Sequence, residues 1–213
     1  PHPLEDGAQL LGRGNVLGEV VVDAAGLQQG VETLQLLGVR LLVDTGRKNN
    51  NMNQEIYLGG RRIAADAPVF IVAEMSANHL QDYDRAIEII HAAKGAGADA
   101  IKLQTYTADT MTVDSDADCF INKGGLWDGI KEYDLYKQAY TPWEWHAGLM
   151  EEAKKCGLLC FSSPFDATAV DFLEELDAPA YKIASYEIND IPLIRRVAKL
   201  HKPVIFATGI AHL

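Results

Sequence analysis

The sequence predicts an α/β fold, an incomplete (β/α)₈ TIM barrel with about five of the eight strand–helix units present. Short runs that are apolar almost throughout alternate with amphipathic helical stretches, which is the pattern of a parallel sheet buried on both faces. The last three of these runs begin about 23 residues apart, a spacing typical of a barrel. Because a complete barrel takes about 250 residues, three units are missing from this chain, and an open five-stranded sheet is the alternative.

The five strands are predicted at residues 69–75, 100–106, 158–165, 180–185 and 204–208. Helices are predicted at residues 84–96, 143–156, 168–176 and 191–200. Thr141, Pro142 and Glu144 have the pattern of a helix cap, a first-turn proline and a capping-box acid. An insertion over residues 107–140 follows the second strand, at the strand end where barrel enzymes carry their active-site loops.

Residues 1–51 form an unassigned N-terminal extension that ends in a polar run, GRKNNN, typical of a linker. Met52 follows, and we interpret it as a natural start, with 1–51 as upstream coding sequence or the remnant of another domain. Within the extension, residues 19–23 and 39–44 are candidate strands around a helix at 27–37. Residues 52–213 are the barrel portion, which begins with a predicted hairpin, 56–58 and 61–63, around Gly59 and Gly60.

The charge balance excludes some classes of partner. The formal net charge is −11, from 30 acidic and 19 basic residues, which disfavours nucleic acid and anionic membrane surfaces. A few local lysines can still bind a small anion. There is no apolar run of membrane-spanning length and no signal-peptide pattern, so we expect a cytoplasmic protein.

The cysteines predict free thiols. There are three, at positions 119, 156 and 160, and an odd count without a small secreted framework indicates a reducing compartment. Cys156 and Cys160 straddle a helix end and a strand start, with no histidine or carboxylate at ligand spacing in the sequence. Buried thiols are therefore favoured over a zinc site.

Polar residues cluster where the predicted strands end, the position of ligands in parallel α/β folds. They are Glu74 on the first strand, Lys102 and Gln104 on the second, Ser163 on the third, Lys182 and Ser185 on the fourth and Thr208 on the fifth. A lysine inside an apolar strand is costly to bury unless an anion meets it. An ion pair with Glu74 would satisfy one lysine. Two lysines with hydroxyl groups nearby instead favour a binding site for a phosphate and a carboxylate. Glu74 would be the one acid facing this binding site, placed against positive charge that arises during reaction.

Five motifs in order resemble the sialic acid synthase family: AEMSANH at 73–79, GADAIKLQTY at 97–106, YTPWEWH at 140–146, FSSPFD at 161–166 and YKIASYEI at 181–188. The segments LWDG at 126–129 and YDLY at 133–136 are similar to the pseudaminic acid branch more than to the N-acetylneuraminate or legionaminate branches. The resemblance runs from about residue 52 to 211, three-quarters of the chain.

The resemblance implies a reaction in which phosphoenolpyruvate adds through its C3 to the aldehyde of an open-chain amino sugar, 2,4-diacetamido-2,4,6-trideoxy-altrose in the pseudaminic branch. Water then adds at C2, and loss of phosphate leaves a nine-carbon 2-keto acid. A divalent metal, Mn²⁺ or Mg²⁺, is expected to polarise the aldehyde, with its ligands beyond residue 213. The family also implies a homodimer for the full-length enzyme.

Position by position, the resemblance implies that phosphoenolpyruvate is held by Lys102, Gln104, Ser163, Phe165, Lys182, Ser185 and Thr208, and that Glu74 is catalytic. One departure is visible, because relatives often carry Ser-Thr-Gly where this chain has Ala207-Thr208-Gly209.

Other hypotheses remain open. A Schiff-base aldolase would use Lys102 or Lys182 as its nucleophilic amine. A non-catalytic fragment would expose apolar surface where the remaining strands belong. Among other polar and aromatic residues, Trp143 and Trp145 are expected to pack, and His91 and His146 to be surface or core histidines. His79 either holds its loop or touches ligand, and Asn122 and Trp127 are candidates for a lid.

Overall fold

The computed structural model describes residues 20–23, 56–64 and 66–207, and it contains a six-stranded parallel sheet and a separate two-stranded hairpin. The sheet strands are β1 (Val20–Asp23), β4 (Ile71–Glu74), β5 (Ala100–Thr105), β6 (Leu159–Pro164), β7 (Tyr181–Ile183) and β8 (Val204–Phe206). The hairpin strands are β2 (Ile56–Leu58) and β3 (Arg61–Ile63). All five strands predicted for the barrel portion are confirmed, each shortened at one or both ends.

Helices connect the sheet strands. They are α1 (Tyr83–Gly95), α2 (Ala108–Met111), α3 (Glu132–Ala139), α4 (His146–Lys155), α5 (Ala167–Glu175) and α6 (Ile191–Ala198). The helices α2 and α3 belong to the insertion after β5. The four helices that were predicted from periodicity are confirmed as α1, α4, α5 and α6. Among the helices that the structure describes, none is long and apolar enough to cross a membrane.

The order of strands in the sheet distinguishes a barrel from a doubly wound sheet. The order is β1-β4-β5-β6-β7-β8, so each strand lies beside the one that precedes it in the chain, without the reversal that marks a doubly wound fold. The sheet and its outer helices are the first part of a TIM barrel.

Alternate residues of each strand face opposite sides of the sheet, and the buried clusters show which side is which. One cluster joins strand residues Ala73, Ile101 and Leu103 to buried residues of α1 and α4, so these side chains point outward to the helices. Another cluster joins Val72, Ala100, Phe161, Ala180 and Ile205 to Leu58 of the hairpin, so these side chains point into the barrel. The hairpin therefore closes the end of the barrel at which the strands begin.

The hairpin turn is Gly59-Gly60, with φ of 57° and 79°, as predicted from the sequence. A Cβ on Gly59 would lie 2.7 Å from Leu159 Cδ1. We expect Gly59→Ala to lower the free energy of unfolding by about 2 kcal/mol, because an L-residue in the left-handed region costs roughly 1–2 kcal/mol and Leu159 must also shift. Gly60→Ala is the matched control, since nothing lies within 4 Å of its Cβ position. Urea unfolding measures both, and equal losses would contradict a contribution from the contact with Leu159.

The N-terminal extension contributes one described strand. The candidate strand at 19–23 is confirmed as β1, which pairs in parallel with β4, Val20 opposite Ile71 and Asp23 opposite Glu74. The candidate helix at 27–37 and the candidate strand at 39–44 lie outside the described residues. The assignment of residues 1–51 as a separate segment stays a prediction.

The predicted cap of the fourth helix is wrong in detail. The segment begins with a 3₁₀ turn, Trp143–Trp145, preceded by Pro142, and no side chain makes a capping bond there. The hydroxyl of Thr141 instead lies 3.1 Å from Nε2 of buried His79. A tertiary hydrogen bond has replaced the local one that the sequence pattern predicted.

Candidate active site

The predicted polar residues of β4, β5, β6 and β7 lie on the inner face of the barrel, toward the ends of their strands. Glu74 follows the inward-facing Val72 by two residues, Lys102 follows Ala100, and Ser163 follows Phe161. In the sheet register Glu74 lies opposite Lys102, and Gln104 lies opposite Ser163. Because neighbouring strands are about 4.8 Å apart, these side chains form one polar layer above the apolar layer of the barrel interior.

Lys102 is the centre of this layer. It is 3% exposed, and its Nζ lies 2.6 Å from Glu74 Oε2 and donates to Ser163 Oγ at 3.4 Å. The ion pair with Glu74, which the sequence left open, is therefore present. A buried ammonium beside a carboxylate and a hydroxyl is held in a defined position, and it can exchange one anionic partner for another.

The remaining predicted residues have different outcomes. Lys182 lies on β7, two residues after the inward-facing Ala180, and is half-buried. Ser185 is half-buried and immediately precedes a 3₁₀ turn, Tyr186–Asn189. Phe165 follows β6 and packs edge-on against Tyr106, with ring centroids 5.4 Å apart. Thr208 lies outside the described residues, so its role stays a prediction.

A second acid, Glu187, was missed by the sequence interpretation, which had Glu74 as the one acid facing the binding site. The 3₁₀ turn after β7 brings the Glu187 carboxylate near Lys182. Its Oε2 is buried without a hydrogen-bond partner. Burial raises the pKa of Glu187, and the charge of Lys182 opposes this shift. The available signal was an acid just past a strand end, within a motif already singled out for its lysine and serine.

Aromatic side chains connect the insertion to the polar layer. Tyr106, which follows β5, contacts Phe165 on one side and Tyr136 of α3 on the other, the latter with ring centroids 5.8 Å apart. Burial raises the pKa of Tyr106 to about 12, so its phenol stays protonated near neutral pH. The helix α3 of the insertion is thereby anchored beside the strand ends.

The predictions that Trp143 packs and that His146 is a core histidine are confirmed. Trp143 stacks on Phe172 at 4.7 Å and donates from Nε1 to the carbonyl of Tyr106, so it packs as expected. His146 is fully buried, with Nε2 2.9 Å from the hydroxyl of Thr105.

The two possibilities for His79 are resolved by its contacts. The side chain is fully buried, its Nδ1 accepts from the backbone N–H of Gln81, and its Nε2 lies next to Thr141. His79 therefore holds the loop after β4. In the insertion, the Asn122 amide donates to the carbonyl of Ile130, and Trp127 is 48% exposed. A role for either residue as a lid stays a prediction.

A divalent metal at this end of the barrel would need donors beyond those described. The carboxylates of Glu74 and Glu187 are available oxygen donors, but within residues 56–64 and 66–207 no trio of His, Cys, Asp or Glu donors gathers at the strand ends. The described residues therefore do not supply a complete ligand set. The position of the metal ligands stays a prediction.

Comparisons with known proteins place this arrangement in a family. The model of the NeuB family matches residues 89–213. The pseudaminic acid synthase of Campylobacter jejuni is 56% identical over 146 residues, which are 68% of this chain and 43% of that protein. The pseudaminic acid synthase of Helicobacter pylori is 54% identical over 144 residues, 68% of this chain and 42% of that protein. The chain thus spans about two fifths of the length of these curated relatives.

A solved structure extends the agreement to the fold. The crystal structure of N-acetylneuraminic acid (sialic acid) synthetase from Leptospira borgpetersenii, in complex with citrate, superposes with a TM-score of 0.65 at 31% identity. The superposition covers 77% of this chain and 53% of the Leptospira chain. The resemblance to sialic acid synthases is confirmed, and the chain belongs to the NeuB family.

Proposed function

We propose that this chain is part of a synthase that condenses phosphoenolpyruvate with 2,4-diacetamido-2,4,6-trideoxy-altrose, giving pseudaminic acid and phosphate. The observation that carries the proposal is the position of Lys102, which is buried on the inner face of a parallel barrel. Its ammonium group lies beside Ser163 on the neighbouring strand, and Ser163 is the register partner of Gln104. The similarity to two pseudaminic acid synthases at 54–56% identity supports this sugar over N-acetylneuraminate or legionaminate precursors.

In this proposal the chain binds phosphoenolpyruvate through charge and directed hydrogen bonds. Lys102 and Lys182 supply positive charge to the phosphate and the carboxylate, while Ser163, Ser185 and Gln104 donate hydrogen bonds. Thr208 would add a further hydroxyl, and Phe165 would form an apolar wall beside the three-carbon unit. Binding fixes C3 toward the aldehyde carbon of the sugar, which is the geometry that bond formation needs.

Glu74 acts on the charge that develops during the reaction. When C3 of phosphoenolpyruvate bonds to the sugar C1, C2 becomes cationic before water adds to it. The Glu74 carboxylate, held by Lys102, would stabilise that charge. Water attack at C2 releases a proton, and cleavage of the C2–O bond then releases phosphate. A divalent metal supplied with later residues would polarise the aldehyde.

Other features of the whole enzyme are part of the proposal. We expect a cytoplasmic homodimer that uses Mn²⁺ or Mg²⁺, with phosphoenolpyruvate and the amino sugar as its substrates. The family membership supports this proposal.

Calorimetry of phosphoenolpyruvate binding to the 213-residue chain directly tests the half-site, by which we mean the residues proposed to hold this substrate. Phosphate release is then measured on the chain extended past Leu213 to the length of its relatives, with manganese and each of the three sugars in turn. Release with the trideoxy-altrose alone is expected. Release with another sugar would change the branch, and binding without release from any sugar would contradict the reaction. Trapping of Lys102 or Lys182 by borohydride with a keto acid would favour a Schiff-base aldolase.

Glu187 gives a prediction about the same half-site. We expect Glu187→Gln to tighten phosphoenolpyruvate binding roughly fivefold, about 1 kcal/mol, because the variant removes a carboxylate that competes for the charge of Lys182. The wild type should approach the variant as the pH falls, because protonation neutralises a carboxyl whose pKa is raised by burial. Calorimetry at several pH values measures both proteins, and the ligand's own titration cancels between them. Weaker binding by the variant would show instead that Glu187 contacts the ligand as an acceptor.

A further inference from the structure

The helices α1 and α4 pack against each other on the outside of the barrel, and three potential metal donors meet at this contact. His91 lies on α1, Glu152 lies on α4, and Cys156 caps the C-terminal end of α4. Glu152 and Cys156 are four residues apart, so they project from one side of α4 toward His91. The sequence interpretation found no partner for Cys156 because His91 is 65 positions away along the chain.

The three side chains already meet, with one ring nitrogen of His91 near Glu152 and the other near Cys156. His91 Nε2 is 3.0 Å from Glu152 Oε1, and Cys156 Sγ is 3.8 Å from His91 Nδ1. One donor atom from each residue lies within 4.8 Å of the other two. Donor atoms around a tetrahedral zinc ion are about 3.3–3.8 Å apart, given bond lengths of roughly 2.0–2.3 Å. Rotation of the His91 ring and shifts of the other two side chains by about 1 Å would therefore bring the three donors onto one ion.

The donor set suits zinc better than the hard cations. A thiolate, an imidazole and a carboxylate are all zinc ligands, whereas magnesium and manganese favour sites made mainly of oxygen. The cluster is also separate from the barrel mouth, because the C-terminal ends of α1 and α4 lie at the opposite end of the barrel from the ends of the strands. Cys156 lies three residues before the start of β6, whereas Ser163 lies near the end of that strand.

We propose that His91, Glu152 and Cys156 form a zinc site that joins α1 to α4, with water completing the coordination. On binding, the Cys156 thiol loses its proton to solvent, and the imidazole binds zinc through one nitrogen in its neutral form. The ring now lies between the other two donors, so it rotates to present that nitrogen to the ion. Lys155, which lies 3.6 Å from Glu152 and 3.3 Å from Glu151, keeps Glu151 as its partner.

Cobalt substitution tests the site with a signal that depends on the cysteine. Titration of the 213-residue chain with Co²⁺ is expected to produce a thiolate-to-cobalt charge-transfer band, which Zn²⁺ then removes by displacement. A catalytic metal held by nitrogen and oxygen donors would not give this band. Zinc is also expected to raise the unfolding temperature of the chain, because it binds the folded state preferentially.

Single variants show whether the cobalt signal comes from this site, from another cysteine or from nonspecific metal binding. Cys156→Ser should abolish the band, while His91→Gln and Glu152→Gln should each weaken cobalt binding by at least about tenfold. Cys119→Ser is the control, since Cys119 is an exposed free cysteine outside the cluster, and it should keep the band. Absence of the band in the wild type, or its persistence in Cys156→Ser, would overturn the proposal. Far-ultraviolet circular dichroism verifies that each variant is folded.

Discussion

Replacing Lys102 with methionine is expected to weaken phosphoenolpyruvate binding at least about thirtyfold and to lower the free energy of unfolding by about 3 kcal/mol. Both effects follow from one position, because the ammonium is 3% exposed and pairs with Glu74 at 2.6 Å. Methionine keeps the length and the apolar stem of lysine but leaves the Glu74 carboxylate without its cation. Calorimetry measures the binding, and urea unfolding measures the stability.

A double variant separates the two effects. Lys102→Met combined with Glu74→Gln removes both charges, so most of the lost stability should return while phosphoenolpyruvate binding stays lost. Lys199→Met is the control for loss of a positive charge, because Lys199 is exposed just after α6 on the outer surface. Unchanged affinity in Lys102→Met would remove Lys102 from the binding site and leave the ion pair as its whole role.

The inner polar layer could be predicted because strand geometry is strictly periodic. Once residues 100–106 are assigned as a strand, Lys102 and Gln104 must share a face with Ala100. Strand adjacency then follows from chain order in a barrel, which places Ser163 beside Gln104 as the register shows. Neither step depends on a contact between distant parts of the chain, and the structure agrees with both.

Two of the features that were missed depend on contacts between distant segments, and a third depends on a local turn. Thr141 has the sequence pattern of a helix cap, but its hydroxyl meets His79, which is 62 positions earlier. Glu187 comes near Lys182 because the chain makes a 3₁₀ turn there, where a simple strand end was expected. Cys156 gains a histidine neighbour through the packing of α1 on α4. Local patterns do not encode partners that are distant along the chain, so spacing along the sequence could not reveal the histidine beside Cys156.

His146 shows how a residue that is only structural can still control a measurable property. Its Nε2 accepts from Thr105 Oγ1 at 2.9 Å, and its Nδ1 lies 3.2 Å from the carbonyl of Pro142. The carbonyl can only accept, so Nδ1 carries a proton, and because burial lowers the pKa of His146 to about 4, Nε2 carries none near neutral pH. Thr105 in turn accepts from Ser162 at 2.7 Å. This buried chain of hydrogen bonds joins β5 and β6 to the segment that begins α4.

The protein is expected to lose about 2 kcal/mol of stability through His146 alone as the pH falls from about 8 to about 5. Burial lowers the pKa of His146 to about 4, against an ordinary value of 6.5. Between these values the unfolded chain binds a proton that the folded chain does not, so acid favours unfolding, and the full loss reaches about 3 kcal/mol below pH 4. Burial lowers the pKa of His79 as well, which adds to the loss in the same direction.

Urea unfolding of His146→Gln across the same pH range isolates this contribution. Glutamine can keep a polar contact with Thr105 but does not titrate, so the variant is expected to be less stable near neutral pH and to lose about 2 kcal/mol less than the wild type on acidification. His201→Asn is the control, because His201 is exposed and has φ of 55°, a conformation that asparagine tolerates. Its pH profile should follow that of the wild type. Parallel profiles for His146→Gln and the wild type would mean that the pKa of His146 is the same in the folded and the unfolded chain, and the buried neutral ring with its hydrogen-bond chain from Pro142 to Ser162 would then be contradicted.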